Sequence, residues 1–202
     1  MKNIFVTAIG TDSGKTIISA ILCEALGAAY WKPIQAGLPR DTDTVASLVS
    51  NKNFKTFPEL YLLKTPASPH AAAKIDDVEI KISDFKVPGK ELTVIEGAGG
   101  CMVPVNDHEL VIDLAKHLDC DIVLVCNLYL GSINHSLLTL HLLRSRGLPV
   151  KGIMFNGKPN EESERIILHH AQLPCLLRVA EEGKVDKEFI SRYAKELLKN
   201  WK

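Results

Sequence analysis

The sequence has 202 residues, of which 46% are hydrophobic and 24% charged, and its 24 basic and 24 acidic residues give a formal net charge of zero. This length predicts a single domain over residues 1–202 that is large enough to bury its own hydrophobic core. The balanced charge argues against a nucleic-acid partner, and no apolar run approaches the roughly 20 residues that a membrane span needs.

Five cysteines are scattered along the chain without CxxC spacing, at Cys23, Cys101, Cys120, Cys126 and Cys175. Most lie in apolar runs, where a thiol behaves as a small hydrophobic group. An odd, scattered set is typical of a reducing compartment, and the N-terminal apolar stretch is too short for a signal peptide. We therefore expect a cytoplasmic protein.

Short apolar runs rich in β-branched residues predict five strands, at residues 4–8, 28–31, 92–95, 122–125 and 152–155. They lack alternation, as is typical of strands buried on both faces of a parallel sheet. Helical periodicity is found at residues 15–26, 110–118, 136–145, 161–171 and 187–198. This order predicts an α/β fold with three layers, in which a mostly parallel sheet is flanked by helices.

The first predicted strand leads into a glycine-containing loop, and Gly14, Lys15 and Thr16 open the first predicted helix. This is the context of a P-loop, where main-chain N–H groups at a helix N-terminus cradle phosphates. Lys15 would reach the β- and γ-phosphates, and Thr16 would bind Mg²⁺. The pattern GxxxxGK[ST] has glycine where this chain has Ile9, with Gly10 one place later. The remaining Gly-Lys-Thr core still predicts a nucleoside triphosphate site.

A lysine follows the second predicted strand. Lys32 precedes Pro33, which biases the lysine toward an extended conformation. We expect it in the same crevice as Lys15, because ligands of open α/β sheets bind beyond the carboxyl ends of the strands. A lysine there would hold an anionic intermediate and offset the charge that develops during phosphoryl transfer.

Residues 41–90 form a less regular stretch, broken by four prolines. Long irregular stretches in compact domains are often functional, so we predict a substrate-side excursion rather than a second domain. Asp41 and Asp43, at its start, are both candidate oxygen ligands for a hard cation. Their chemistry alone does not separate them.

The third predicted strand is followed by an acid, Glu96, and then by Gly97, Ala98 and Gly99. An acid at this end of a strand, next to a P-loop, is well placed to hold Mg²⁺ together with Thr16. The glycines would let the main chain approach a ligand closely.

Together these segments resemble the dethiobiotin synthetase family over most of the chain. The resemblance rests on seven motifs in the family's order: VTAIGTDSGKT, YWKPIQAG, the aspartate of DTDT, TPASPHAAA, VIEGAGGCMVP, LGSINHSLLT and GIMFNG. It implies a P-loop NTPase of the MinD-like branch that forms dethiobiotin from 7,8-diaminononanoate, CO₂ and MgATP in biotin biosynthesis. One amine would capture CO₂ as a carbamate, which attacks the γ-phosphate. The second amine would then close the ring on the mixed carbamic-phosphoric anhydride.

The resemblance also implies roles for particular residues. Lys15, Lys32 and Thr11 would be catalytic, and Thr16, Asp43 and Glu96 would bind Mg²⁺. The nucleotide would be bound by Asp12, Ser13, Gly14, Lys15, Thr16, Ile17, Asp43, Glu96, Gly97, Ala98, Gly99 and the adenine-reading Asn156.

Substrate binding is implied for Thr11, Lys32, Ala36, Gly131, Ser132, Ile133 and Asn134. The last four would reach the fatty-acid carboxylate of the neighbouring subunit, so a homodimer with its active site at the interface is expected. Their N–H groups precede a predicted helix and suit an anion. The chain departs from the family at Ala36, where some members have a substrate-binding serine, at Ala8 and Ile9, and at residues 177–180, which lack a proline.

Two alternatives remain open. An amidase acting on a corrin-type carboxylate has similar nucleotide motifs but carries an additional glutaminase domain, for which 202 residues leave no room. A nucleotide-switched partitioning ATPase has a similar fold but usually a second lysine early in its P-loop. No lysine lies between Phe5 and Gly14.

Overall fold

The structure, a computed structural model, describes residues 2–201. Its strands are β1 (Ile4–Ala8), β2 (Ala29–Trp31), β3 (Ile34–Ala36), β4 (Thr56–Phe57), β5 (Tyr61–Leu63), β6 (Thr93–Glu96), β7 (Asp121–Asn127), β8 (Val150–Asn156) and β9 (Cys175–Val179). Its α-helices are α1 (Lys15–Leu26), α2 (Asp41–Leu48), α3 (Pro69–Ile75), α4 (Val111–His117), α5 (Ser132–Ser145), α6 (Glu161–Ala171) and α7 (Lys187–Asn200). A 3₁₀ turn covers Ile82–Asp84.

Seven strands form one parallel sheet in the order β4-β2-β6-β1-β7-β8-β9. The central strand β1 has β6 on one side and β7 on the other, so the strand order reverses beside β1. Ligands of open α/β sheets bind outside the carboxyl ends of the strands at such a reversal. We therefore expect the ligand site at the loops that follow β1 and β6.

Helices cover both faces of the sheet because successive side chains of a strand point to opposite sides. Val6 packs in the cluster that contains residues of α1, α2 and α7, whereas Phe5 packs with residues of α4 on the other side. Leu124 packs with residues of α5 and α6. Among residues 2–201, no helix combines the length and the apolar character required to cross a membrane. The predicted three-layer α/β fold is confirmed.

All five predicted strands and all five predicted helices are present, with shifted ends at most of them. The largest difference is at α5, which begins at Ser132 rather than at residue 136. Gly131, with a φ of 105°, precedes its first turn. The polar residues of that turn carry no apolar periodicity, which is why the sequence pattern placed the start one turn too late.

Residues 41–90 are more regular than predicted. They contain α2, α3, β4, β5 and the 3₁₀ turn, and β5 pairs with β3 in a separate parallel two-stranded sheet. These elements are two to eight residues long, too short to display a period. The edge strand β9 was also missed, since Arg178 interrupts its short apolar run.

Gly152 in β8 offers a test of how tightly the sheet packs. A Cβ there would lie 2.6 Å from Leu176 Cγ and 2.8 Å from the main-chain oxygen of Pro174. We expect Gly152→Ala to lower the free energy of unfolding by about 1–3 kcal/mol, because the carbonyl cannot move aside cheaply. The control is Gly183→Ala, which meets nothing within 4 Å. Urea denaturation measures both variants, and equal midpoints would contradict this account.

Candidate active site

The loop between β1 and α1 is folded as a phosphate cradle. Ser13 Oγ donates to the main-chain oxygen of Gly10 at 3.1 Å, and Lys15 Nζ donates to the same oxygen at 3.3 Å. Asp12 and Gly14 both have positive φ values, 55° and 90°. The chain thus turns sharply into α1, whose first N–H groups have no partner within the helix and are free to bind an anion.

The departure from the P-loop pattern at Ile9 has a structural reason. The Ile9 N–H donates to the carbonyl oxygen of Val125 at 3.2 Å, which extends the β1–β7 ladder by one residue. Ile9, one residue past the end of β1, is thus still hydrogen-bonded to β7, and it has no positive φ that would favour glycine. The chain bends at residues 9 and 10 and turns at residues 11 and 12.

Gly14 is required for a different reason. A Cβ on it would lie 2.1 Å from Nδ2 of Asn156, and that amide donates to the main-chain oxygen of Ser13 at 3.1 Å. The absence of a side chain at Gly14 lets Asn156, at the end of β8, sit against the phosphate loop. The residue predicted to read adenine is therefore in direct contact with the loop predicted to hold phosphates.

Lys32 and Glu96 form a buried ion pair beside this loop. Trp31 of β2 and Ile95 of β6 are opposite each other, so the two charged residues that follow them meet at the sheet edge. Lys32 is 4% exposed and Glu96 1% exposed. Lys32 Nζ donates to Glu96 Oε1 at 2.9 Å, to Asp41 Oδ2 at 2.6 Å and to the Gly97 main-chain oxygen at 3.1 Å.

These contacts decide the charge of the two lysines. Burial disfavours the ammonium form of Lys32, but the carboxylates of Glu96 and Asp41 outweigh it and raise the Lys32 pKa above its ordinary value. Burial, with the nearby charge of Lys32, lowers the pKa of Lys15. Within residues 2–201 Lys15 forms no ion pair, which suits a residue that binds phosphate.

Three oxygen atoms converge next to Lys32. Thr16 Oγ1 lies 3.1 Å from Glu96 Oε1 and 3.2 Å from Asp41 Oδ1. A hydroxyl has one proton, so Thr16 cannot donate to both carboxylates at once. Two carboxylates and a hydroxyl at this spacing are hard oxygen ligands of the kind that Mg²⁺ prefers. The donor set therefore fits the cation predicted from the sequence.

The other Glu96 oxygen has a separate partner. Tyr30 of β2 is completely buried, and its hydroxyl donates to Glu96 Oε2 at 3.0 Å. Burial, reinforced by the negative charge of Glu96, raises the Tyr30 pKa well above its usual value, so the hydroxyl keeps its proton. Nothing in the sequence pattern indicated this contact, because Tyr30 lies in a short apolar run.

The structure separates the two candidate aspartates and does not bring the predicted Asp43 into this cluster. Asp43 points outward, with a side chain 60% exposed, and pairs with Arg40 at 2.6 Å. Asp41, in the first turn of α2, faces Thr16 and Lys32 instead. Its N–H donates to Gln35 Oε1 at 3.0 Å, which fixes the start of the helix. Asp41 and Asp43 are two residues apart on α2 and point to different sides of it, and the Asp-Thr-Asp sequence does not tell which of them faces Thr16.

A cavity of about 680 Å³ opens onto the cluster. Of the predicted site residues, it is lined by Thr11, Asp12, Gly14, Lys15, Thr16, Ile17, Lys32, Ala36, Glu96, Ala98 and Gly99. Its further walls, which the sequence did not single out as a site, include Ile34, Gln35, Val103 and residues 66–69. Two predicted residues, Ser13 and Gly97, lie behind the cavity. The main-chain oxygen of Ser13 accepts a hydrogen bond from Asn156, and that of Gly97 accepts one from Lys32.

Two further cavities are present, and the larger of them shares Thr11 with the main cavity. Asn156 lines a small cavity together with Glu164 and Arg178, which form an ion pair. Thr11 lines both the main cavity and a third one of about 440 Å³, whose walls include Met102 and Leu138. The predicted substrate residues Gly131, Ser132, Ile133 and Asn134 line none of these three cavities and lie at the start of α5.

The same fold is found in solved structures. The cell division ATPase MinD of Pyrococcus furiosus superposes with a TM-score of 0.64 at 14% identity, covering 98% of this chain and 99% of that chain. The septum site-determining protein MinD of Pyrococcus horikoshii, complexed with Mg-ADP, gives 0.58 at 14% identity, covering 98% and 96%. Residues 2–188 match a family described as an AAA domain. The fold and the phosphate loop define the chain as a P-loop NTPase.

Curated relatives identify the family to which this chain belongs. The ATP-dependent dethiobiotin synthetase BioD of Cytophaga hutchinsonii is 52% identical over 205 residues, covering 100% of this chain and 99% of that protein. The protein of the same name from Christiangramia forsetii is 45% identical over 201 residues, covering 98% and 97%. This chain belongs to the ATP-dependent dethiobiotin synthetase family. The resemblance stated from the seven motifs is confirmed.

The two aspartates of α2 form a matched pair for a test of metal binding. We expect Asp41→Asn to raise the Mg²⁺ concentration that half-maximal ADP binding requires by about tenfold, because it weakens a carboxylate beside Thr16. Asp43→Asn removes an equal charge from the outer face of the same helix and should leave that concentration unchanged. Calorimetric titration with ADP at a series of Mg²⁺ concentrations measures this requirement in both variants. A larger increase in Asp43→Asn would contradict the assignment and favour Asp43 as the metal ligand.

Proposed function

We propose that this chain catalyses the ATP- and Mg²⁺-dependent closure of a cyclic urea on 7,8-diaminononanoate with CO₂, which gives dethiobiotin. Membership of the dethiobiotin synthetase family over nearly the whole chain carries the proposal. The site supports it, because Lys15, Thr16, Lys32 and Glu96 all line one cavity. Its volume of about 680 Å³ lies in the range typical of small-molecule sites.

The phosphates of ATP would be bound by Lys15 and by the main-chain N–H groups at the start of α1. Mg²⁺ would be held by Thr16, Asp41 and Glu96. In this proposal Asp41 replaces Asp43, which the sequence resemblance had implied as a metal ligand. Within residues 2–201 no three His, Cys, Asp or Glu side chains form a metal cluster. That suits Mg²⁺, which is usually held by one or two carboxylates together with substrate phosphates. When bound, it would offset the charge on the β- and γ-phosphates.

Lys32 is the residue we place at the reacting atoms. Its ammonium group would hold the carbamate that forms when one amine of the substrate captures CO₂. A carbamate oxygen then attacks the γ-phosphorus and ADP leaves. The second amine attacks the carbonyl carbon of the resulting mixed anhydride, and phosphate leaves. Lys15 and Lys32 offset the negative charge that develops, so the protein acts by positioning and electrostatics rather than by covalent chemistry.

The diamine would lie across the boundary between two cavities. Thr11 lines both the main cavity and the adjoining one, which has apolar walls such as Met102 and Leu138. The amines would face Thr11 and Ala36, and the alkyl chain would follow the apolar walls. Ala36 offers no side-chain hydrogen bond, but Ser68 lies on the wall of the same main cavity.

Asn156 would read the adenine, since its side chain touches the phosphate loop at Ser13 and also lines the small cavity. Its amide can both donate and accept, which matches an adenine edge. Ala98 and Gly99, which line the main cavity after β6, would face the nucleotide and the diamine through their main chain. Gly97 would act behind them, through the hydrogen bond that its main-chain oxygen accepts from Lys32.

We also propose a homodimer that shares the site. Five large apolar side chains near the start of α5 and the third cavity are exposed: Met102, Tyr129, Leu130, Ile133 and Leu138. Exposed apolar groups that cluster in this way mark interaction surfaces. The N–H groups of residues 131–134 would bind the carboxylate of a substrate held by the other subunit, which accounts for their position outside the main cavity.

The two lysines should separate nucleotide binding from turnover. We expect Lys32→Met to lower turnover at least a hundredfold while the affinity for ADP stays within about threefold, because Lys32 lies outside the phosphate loop. Lys15→Met should weaken ADP binding by more than tenfold and lower turnover as well. Calorimetry and a phosphate-release assay measure the two quantities, with circular dichroism to verify folding. Full activity of Lys32→Met would remove Lys32 from the mechanism.

The reaction itself is tested by phosphate release from MgATP and bicarbonate with and without 7,8-diaminononanoate, with mass detection of dethiobiotin. We expect phosphate release to depend on the diamine and to match the ring-closed product in amount. Hydrolysis of ATP that is indifferent to the diamine would overturn the proposal and favour a nucleotide-switched ATPase of the MinD type.

A further inference from the structure

Glu96 presents its two carboxylate oxygens to different partners. Oε1 lies 2.9 Å from Lys32 Nζ and 3.1 Å from Thr16 Oγ1, on the side of the cavity. Oε2 points the other way and accepts the hydrogen bond of the buried Tyr30 hydroxyl at 3.0 Å. The oxygen that faces the cation site is thus distinct from the oxygen that is tied to the core.

We propose that Tyr30 is a positioning residue for the metal site, which holds Glu96 Oε2 so that Oε1 faces Thr16. This inference rests on the proposed function, since it takes Glu96 to be a ligand of Mg²⁺. Tyr30 would touch neither metal nor substrate and would act through Glu96 alone.

The chemistry of a glutamate explains why such a residue is needed. The terminal torsion of a glutamate side chain has broad, roughly twofold preferences, so the carboxylate plane is not fixed by its own covalent geometry. Glu96 is 1% exposed, so water cannot readily satisfy Oε2. A donor from the core fixes the plane and removes the cost of a buried, unpaired acceptor.

The position of Tyr30 in β2 brings its hydroxyl to Oε2 of Glu96. Tyr30 lies opposite Val94 in the β2–β6 ladder, two residues before Glu96. Its ring packs in the apolar cluster that contains residues of α1, and its hydroxyl extends along the sheet toward the end of β6. A phenylalanine would fill the same apolar space. The hydroxyl is therefore the part of Tyr30 that apolar packing does not explain.

The test compares Tyr30→Phe with the wild-type protein by calorimetric titration of ADP, in EDTA and over a series of Mg²⁺ concentrations. Loss of a group that orients a metal ligand typically costs 10–100-fold in metal affinity or activity. We expect the Mg²⁺ requirement to rise about tenfold while the affinity for ADP in EDTA is unchanged. An unchanged Mg²⁺ requirement in folded Tyr30→Phe would overturn the inference.

The matched control is Tyr61→Phe. Tyr61 also donates to a carboxylate, Asp84 Oδ2 at 2.8 Å, but neither residue lines the cavity. Both variants lose a hydroxyl bonded to an acid, and we expect the Mg²⁺ requirement to change in Tyr30→Phe alone. An equal rise in both would make the effect of Tyr30 a general consequence of lost stability and would overturn the positioning role.

Glu96→Gln separates the failure of this inference from the failure of the proposed function. If Glu96→Gln leaves the Mg²⁺ requirement unchanged, the metal role of Glu96 is wrong. If it raises the requirement and Tyr30→Phe does not, only the role of Tyr30 is wrong. When both raise it, the effect of Tyr30→Phe should disappear in the Glu96→Gln background, because the two residues act as one unit.

A measurement on the protein with all its tyrosines covers the case in which Tyr30→Phe does not fold. The sequence has four tyrosines, so incorporation of 3-fluorotyrosine gives a small set of ¹⁹F resonances, which Tyr→Phe variants at the other three positions assign. We expect the Tyr30 resonance to shift when Mg²⁺ is added to the ADP complex, and the Tyr61 resonance to stay. A Tyr30 resonance that ignores Mg²⁺ would contradict the inference.

Discussion

The buried ion pair of Lys32 and Glu96 is the contact around which the rest of the site is arranged. Two charges taken out of water are tolerated only when they are paired and further hydrogen-bonded, and the removal of either would leave the other uncompensated. The pair exists because β2 and β6 are neighbours with Trp31 opposite Ile95. Since β1 is the other neighbour of β6, the phosphate loop that follows β1 is brought to the same edge.

A second contact joins the phosphate loop to the far half of the sheet. Asn156, at the end of β8, donates to Ser13 and occupies the space that a side chain at Gly14 would need. The small cavity lined by Asn156 and the phosphate loop are therefore joined by a direct contact. A nucleotide that spans the two would be read at both ends by parts of the chain more than 100 residues apart, held in place by the same sheet.

The charge of the whole chain says little about this site. A net charge of zero coexists with a local group of two lysines and two acids, Lys15, Lys32, Asp41 and Glu96, at one end of the sheet. Within that group Lys32 forms ion pairs with both carboxylates, whereas Lys15 forms no ion pair within residues 2–201 and burial lowers its pKa. The uneven pairing, rather than the sum of charges, suits Lys15 to the phosphates of a nucleotide.

The sequence by itself determined the fold class and the family, because buried parallel strands and a phosphate loop leave periodic and local patterns. It also predicted Lys32 and Glu96 as site residues from their positions after strands. The resemblance pointed to Asp43 as a metal ligand, whereas the structure places Asp41 beside Thr16 and Asp43 outside, because the rotation of helix α2 against Thr16 decides which aspartate faces the site. Nor could the sequence show that Tyr30 reaches Glu96, because that contact joins residues 66 positions apart. Only the packing of β2 against β6 brings such residues together, and no local pattern records it.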